Sequence, residues 1–88
     1  MEKDVQKEIT KYLEGEGHYV VKVIKANKSG VSDLLVCTNK GKFYAIEVKD
    51  VGKKKNVTKL QMWHIDKINE VGGVAFVADS IENVKEYL

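Results

Sequence analysis

Residues 33–49 read DLLVCTNKGKFYAIEVK, two apolar runs separated by Asn39-Lys40-Gly41. β-branched and aromatic residues on either side of a short glycine-containing break predict an antiparallel hairpin, with strands Asp33–Thr38 and Lys42–Lys49. A three-residue loop puts Thr38 opposite Lys42, and the other pairs follow from that one. Asp33 then falls opposite Glu47, with both side chains on one face of the sheet. A two-residue loop at Lys40-Gly41 would instead set Asp33 against Val48 and turn it to the other face. Both faces of the hairpin are apolar. Leu35, Cys37, Phe43 and Ala45 share one, and Leu34, Val36, Tyr44 and Ile46 share the other. A sheet of this kind needs cover on both sides.

The flanking sequence offers that cover. Upstream, Val5, Ile9, Tyr12 and Leu13 recur at helical spacing and predict an amphipathic helix over Glu2–Glu14, ended by Gly15 and Gly17. His18–Lys25 reads as a strand and Ala26–Ser32 as a loop. Downstream, Asp50–Val57 is a charged loop. Thr58–Val71 reads as a helix that begins with a Thr58…Gln61 capping box and ends at Gly72-Gly73. A short apolar strand, Val74–Asp79, follows and is expected to lie parallel to the strand ending at Lys49. A last helix covers Ile81–Leu88, with Asp79 or Ser80 as its cap. The expected architecture is α/β, in the order α-β-β-β-α-β-α, with a mixed four-stranded sheet between two helical layers.

The chain has 88 residues, which bounds it to a single domain over 1–88. Hydrophobic content of 43% beside 32% charged residues fits a folded, soluble protein rather than a disordered one. No apolar run approaches the ~20 residues of a membrane span, so no membrane association is expected. The polar opening and the lone Cys37 suggest a reducing, cytoplasmic setting, and Cys37 reads as a small buried apolar residue. The net charge is only +2, but all 15 basic residues are lysines, and Lys49, Lys53, Lys54 and Lys55 fall close together.

Glu47 and Lys49 lie two residues apart on one strand and so share a face with Asp33. Two carboxylates this close repel unless one holds a proton or a cation lies between them, so at least one is expected to titrate high. Oxygen donors suit a hard ion such as Mg²⁺. A neighbouring ammonium suits an anion beside that ion, as in metal-assisted hydrolysis of a phosphodiester. Acids and lysines at strand ends are also commonly just solvated tips or an ion pair, and the spacing alone does not separate these readings from the functional one. Two readings of Gln61 stay open as well, helix capping and a position facing the acids. His64, on the same helical face, reads as a satisfied core or rim residue rather than a base.

The wider pattern is more specific. Glu2-Lys3-Asp4-Val5-Gln6, Gly30-Val31-Ser32-Asp33, Glu47-Val48-Lys49, Gly52 and Thr58 to Gln61 stand in register along Glu2–Val77. In this the sequence resembles the VRR-Nuc family of the PD-(D/E)XK nuclease superfamily, whose small stand-alone members, many of them bacterial or viral, are similar to Holliday-junction resolvases. Ser32 departs from the pattern, which usually has proline before the aspartate.

The resemblance implies a restriction-endonuclease-like core and a Mg²⁺- or Mn²⁺-dependent DNA endonuclease, active on Holliday-junction or flap-like branched DNA as a homodimer, with no other cofactor. It implies that Asp33, Glu47, the Val48 backbone carbonyl and Glu2 ligate metal, and that Lys49 and Gln61 assist catalysis. Lys53, Lys54 and Lys55, with Lys28 and Ser29, would contact nucleic acid, and Lys22 and Lys25 could extend that track. Met62 and Trp63 lie off the inner face of their helix and either pack under another element or form the surface that joins two subunits. The alternatives are a restriction-like or exonucleolytic nuclease of the same superfamily, a DNA-binding protein that keeps the fold without turnover, and a structural α/β protein with a coincidental polar cluster.

Overall fold

The computed structural model describes all 88 residues. In chain order the elements are α1 (Glu2–Gly15), β1 (Tyr19–Lys22), β2 (Leu34–Cys37), β3 (Phe43–Val48), α2 (Lys59–Glu70), β4 (Val74–Ala78) and α3 (Ile81–Lys85). The strands lie side by side in the order β1-β2-β3-β4. The first three are antiparallel, and β4 runs parallel to β3 after the α2 crossover. No helix is long and apolar enough to cross a membrane.

The hairpin turn sets the register. Gly41 sits at φ +78°, a left-handed conformation that glycine adopts without steric cost. Its amide donates to the Thr38 carbonyl at 2.8 Å, and the Thr38 amide donates to the Lys42 carbonyl at 2.9 Å. The loop is therefore Asn39-Lys40-Gly41, and Leu34 pairs with Ile46, Val36 with Tyr44 and Cys37 with Phe43.

Alternation then sorts the side chains into two cores. Leu34, Val36, Tyr44, Ile46, Val48, Phe76 and Ala78 point to one side, where Val5, Ile9 and Leu13 of α1 and Val84 of α3 close over them. Fully burying a side chain of the size of Ile9 or Leu13 stabilises by about 1.5–3 kcal/mol. The opposite core is smaller: Ala45 and Ala75 under Ile65 of α2, with Leu35, Val57, Ile68 and Val77 at its margin. The three layers are thus α1 with α3, the sheet, and α2.

The two sheet edges differ. Asn69 of α2 blocks the outer edge of β4: its side chain accepts from the Ala75 amide at 2.8 Å and donates to the Ala75 carbonyl at 3.1 Å. The β1 side is open. Because α2 packs on β3 and β4, the part of its layer over β1 and β2 is bare. Tyr19 is 70% exposed, Phe43 is 47% exposed, and Cys37 between them is also exposed. Cys37 is therefore not the buried residue expected from its apolar neighbours. The alternation gives its face correctly, but the covering helix stops short of its strand.

The first strand is also shorter than His18–Lys25. Its last ladder bond is from the Val23 amide to the Asp33 carbonyl at 2.8 Å, and Ile24 is 83% exposed. The loop that follows is drawn under α2 at Gly30 (φ +83°), where a Cβ would come within 2.8 Å of Leu60 Cγ. His64 Nε2 lies 2.8 Å from the Ser29 carbonyl and ties the same loop to the helix.

Ser32 is 1% exposed, and its hydroxyl has no protein partner. Replacing it with alanine removes a buried polar group without opening a sizeable hole. Ser32→Ala is expected to stabilise by about 1 kcal/mol, seen as a rise of about 4–8 °C in Tm. An unchanged or lower Tm would show that the hydroxyl is satisfied in solution.

Candidate active site

Four side chains meet where β2 begins and β3 ends. Asp33 stands one residue before β2, and the hairpin register carries it opposite Glu47. Its Oδ2 accepts a hydrogen bond from the Val48 amide at 2.8 Å, which fastens the carboxylate to the end of β3. Glu47, only 2% exposed, points to the α2 side of the sheet. Its Oε2 accepts from Gln61 Nε2 at 3.3 Å and lies 3.7 Å from Lys49 Nζ. Its Oε1 is buried and has no partner.

Gln61 fulfils both of its readings at once. Its amide donates to Thr58 Oγ1 at 3.1 Å, and its Oε1 accepts from the Thr58 amide at 2.9 Å, completing the capping box. The same Oε1 accepts from Lys49 Nζ at 3.1 Å. One side chain therefore starts α2, holds the lysine and touches the buried acid.

Burial pushes the Glu47 carboxyl up to about 8 from its ordinary value of 4.5, and the Asp33 charge adds to the rise. Lys49 opposes it, and Glu2 contributes a smaller increase. Repulsion between the two acids, the cause expected from their pairing, is the lesser one; loss of solvation is the larger.

The donor set fits a hard divalent cation. Two opposed carboxyl groups, one with a buried oxygen lacking any partner, form a site whose charged form is costly unless a cation joins it. No three His, Cys, Asp or Glu side chains gather closely enough to enclose a metal by themselves. Glu2 stands exposed in the first turn of α1, beside the pair rather than within it. Gln6, one turn on, has a buried amide oxygen without a partner.

The other expected contact residues lie around this centre. Lys53, Lys54 and Lys55 occupy an exposed turn that runs into the 3-10 helix Lys54–Asn56. Asp79 at the end of β4 anchors that turn through the Gly52 amide at 3.0 Å. In the sequence Asp79 reads only as a possible helix cap, and Ser80 takes that role, accepting from the Asn83 amide. The parallel pairing of β3 with β4 is the signal that could have brought Asp79 next to Gly52. Lys28 and Ser29 are exposed on the loop before Asp33, and the Ser29 carbonyl is engaged by His64. That bond satisfies His64 at the rim, as expected. Trp63 is 51% exposed on the outer side of α2, with Lys67 Nζ 5.6 Å from its ring.

Comparison with known proteins agrees with this fold. The VRR-NUC domain matches residues 2–82. A solved structure described as "VRR_NUC domain" has a TM-score of 0.81 and 30% sequence identity, covering 97% of this chain and 90% of that chain. No curated protein matches the sequence significantly. The acid pair, the lysine beside it and the glutamine that binds both thus sit on a fold shared over nearly its whole length, and the chain belongs to the VRR-NUC domain family, a nuclease-like family.

Proposed function

We propose that the protein is a divalent-metal-dependent DNA endonuclease that hydrolyses phosphodiester bonds in branched DNA as a homodimer. The observation that carries this is the Asp33–Glu47 pair: a buried carboxyl with a partnerless oxygen, opposed by a second acid, with the Lys49 ammonium 3.7 Å away. Asp33 and Glu47 would hold Mg²⁺ or Mn²⁺, with the Val48 carbonyl as a further donor and Glu2 close by. The ion would supply Lewis-acid polarisation of the phosphoryl group and a more acidic water.

The chain's own residues do the rest. Lys49, held by Gln61 Oε1, presents a fixed positive charge where the phosphate gains negative charge. Gln61 also prevents Lys49 from collapsing fully onto Glu47, since it binds both. Burial keeps a proton on Glu47 in the metal-free site, which is therefore closer to neutral than its residue types suggest, and Glu47 would give up that proton as a ligand. The test is cleavage of a panel of four-way, flapped and linear DNAs in Mg²⁺, Mn²⁺ and EDTA. Metal-dependent cutting with preference for the branched forms supports the reading. Equal cutting of linear DNA favours a restriction-like or exonucleolytic enzyme, and binding without cutting favours a DNA-binding protein.

The Lys53–Lys55 turn is exposed and carries no ion pair. Replacing all three lysines with alanine is expected to weaken binding to every DNA sequence. The slope of log affinity against log salt should fall by about 0.9 for each phosphate no longer neutralised. An unchanged slope would leave the turn as a solvated tip.

A dimer has an available surface in the row Tyr19–Cys37–Phe43, which α2 leaves bare. A two-fold enzyme also matches the two symmetric scissile phosphates that a four-way junction offers. Sedimentation should find two chains at micromolar concentration, and Phe43→Glu should dissociate them. A monomeric wild type, with and without DNA, would count against both the dimer and the junction substrate.

A further inference from the structure

Lys3, Lys7 and Lys11 follow one another at four-residue spacing along α1, on the side turned away from the buried Val5, Ile9 and Leu13. Together with Lys22 at the end of β1 they line a shallow groove of about 350 Å³, with Gln6 and Thr10 on its wall. None of the four lysines takes part in an ion pair. Of the acids on this helix only Glu14 enters the groove, at its far end, and Asp4 is engaged 3.3 Å from the amino terminus. Four unneutralised ammonium groups on one shallow surface make a site for a polyanion rather than for a small ligand.

The direction of the groove identifies the polyanion. Lys22 pairs with Leu34, the residue after Asp33. The start of α1 reaches the other side of the site, where the Met1 amino group lies 3.5 Å from Oδ1 of Asp50, next to Lys49. The groove therefore opens at the catalytic end of the sheet and runs away from it along the helix. Lys3 to Lys11 spans about 12 Å at 1.5 Å per residue. A DNA strand in a duplex advances about 3.4 Å along the axis per phosphate and winds as it does so, which sets neighbouring phosphates about 7 Å apart along the strand, so this length spans two to three phosphates. The Lys53–Lys55 turn leads instead into α2, on the opposite face of the sheet from α1.

We propose that the α1–β1 groove is a second nucleic-acid contact surface, carrying the phosphate backbone of a DNA arm that leaves the acid pair on the side opposite the Lys53–Lys55 turn. The assignment rests on the nuclease reading and adds to it a path for the substrate. The lysine stems form the apolar floor, and the ammonium groups meet successive phosphates.

The test uses the full chain carrying Lys3→Gln, Lys7→Gln and Lys11→Gln together, changes that keep the stems and helix propensity and remove the charge. Duplex-arm DNA binding is followed by fluorescence anisotropy in EDTA from 50 to 200 mM salt, with the wild type and the Lys53–Lys55 variant in parallel. Circular dichroism verifies that α1 is intact. With three fewer phosphates neutralised, the salt slope should drop by about 2.7, so that the wild type loses about 40-fold more affinity than the variant over this range. A wild-type slope in the folded triple variant overturns the groove while leaving the nuclease reading in place. A wild type that cleaves no DNA and binds none overturns both. Binding of the wild type, but not of the variant, to phosphatidylserine vesicles without DNA binding would make the groove a membrane surface and would equally overturn the proposal.

Discussion

Asp33→Ala, Glu47→Ala and Lys49→Ala are each expected to lower single-turnover DNA cleavage by about 10²–10⁴-fold. The three losses should differ in kind. The two acid variants should also lose affinity for Mg²⁺ and Mn²⁺ in calorimetric titrations, because they remove oxygen donors. Lys49→Ala should keep the metal and lose the rate, because its ammonium contributes charge and not a ligand. Asp33→Asn refines the comparison. Its amide oxygen can still accept from the Val48 amide, which Asp33 bonds at 2.8 Å, so the strand end stays fastened while the charge is lost. DNA binding should persist in all four, since phosphate contacts made elsewhere supply much of the affinity. Near-normal turnover in any of the alanine variants would remove that residue from the catalytic assignment.

Glu47→Gln is expected to abolish cleavage and, in the metal-free protein, to raise stability at alkaline pH. Burial holds the folded carboxyl at about 8 against 4.5 for an ordinary glutamate. Between those values the folded state keeps a proton that the unfolded state has released, so stability falls as pH rises through this window. The slope approaches about 1.4 kcal/mol per pH unit and vanishes below and above the window. Glutamine has no proton to lose, so its profile should lack this slope, and its advantage over the wild type should grow towards pH 8. Added Mn²⁺ should restore stability to the wild type at pH 8 and have little effect on the variant. Urea titrations from pH 5 to 9, with and without Mn²⁺, measure both effects. Parallel pH profiles for the two proteins would mean that Glu47 is ionised at little cost and that the pair is better solvated than its 2% exposure indicates.

The acid pair was legible in the sequence because it depends on local chemistry. Once Gly41 marks a three-residue loop, counting along two strands brings Asp33 to Glu47, and the structure shows the same pairing. The helix beginning at Thr58 was legible for a similar reason, since a capping box declares itself within four residues. What escaped depends on how far elements extend in space. The face that Cys37 occupies follows from alternation, but its exposure follows from where α2 ends, which no local pattern encodes. The bond between His64 and the Ser29 carbonyl joins a helix to an irregular loop whose course had no sequence signature beyond Gly30. Gln61 lies between these cases. Each of its two roles could be read separately, while their union in one carbonyl oxygen emerges only in the folded chain.

The Asn39-Lys40-Gly41 turn lies at the far end of the hairpin from the acids, about 13–17 Å away at the rise of a β-strand. Asp33 meets Glu47 because Thr38 pairs with Lys42 across the turn, and a longer tip that keeps this closing pair keeps the acids together. Extra residues placed at the tip would then leave every cross-strand partner unchanged, whereas one added inside β2 or β3 would displace an acid unless a bulge absorbed it. Natural insertions at the tip should therefore be tolerated, and a search for relatives keyed to a fixed Asp-to-Glu interval would discard true members of the family. The same position is a suitable graft point for an affinity tag or a fluorophore.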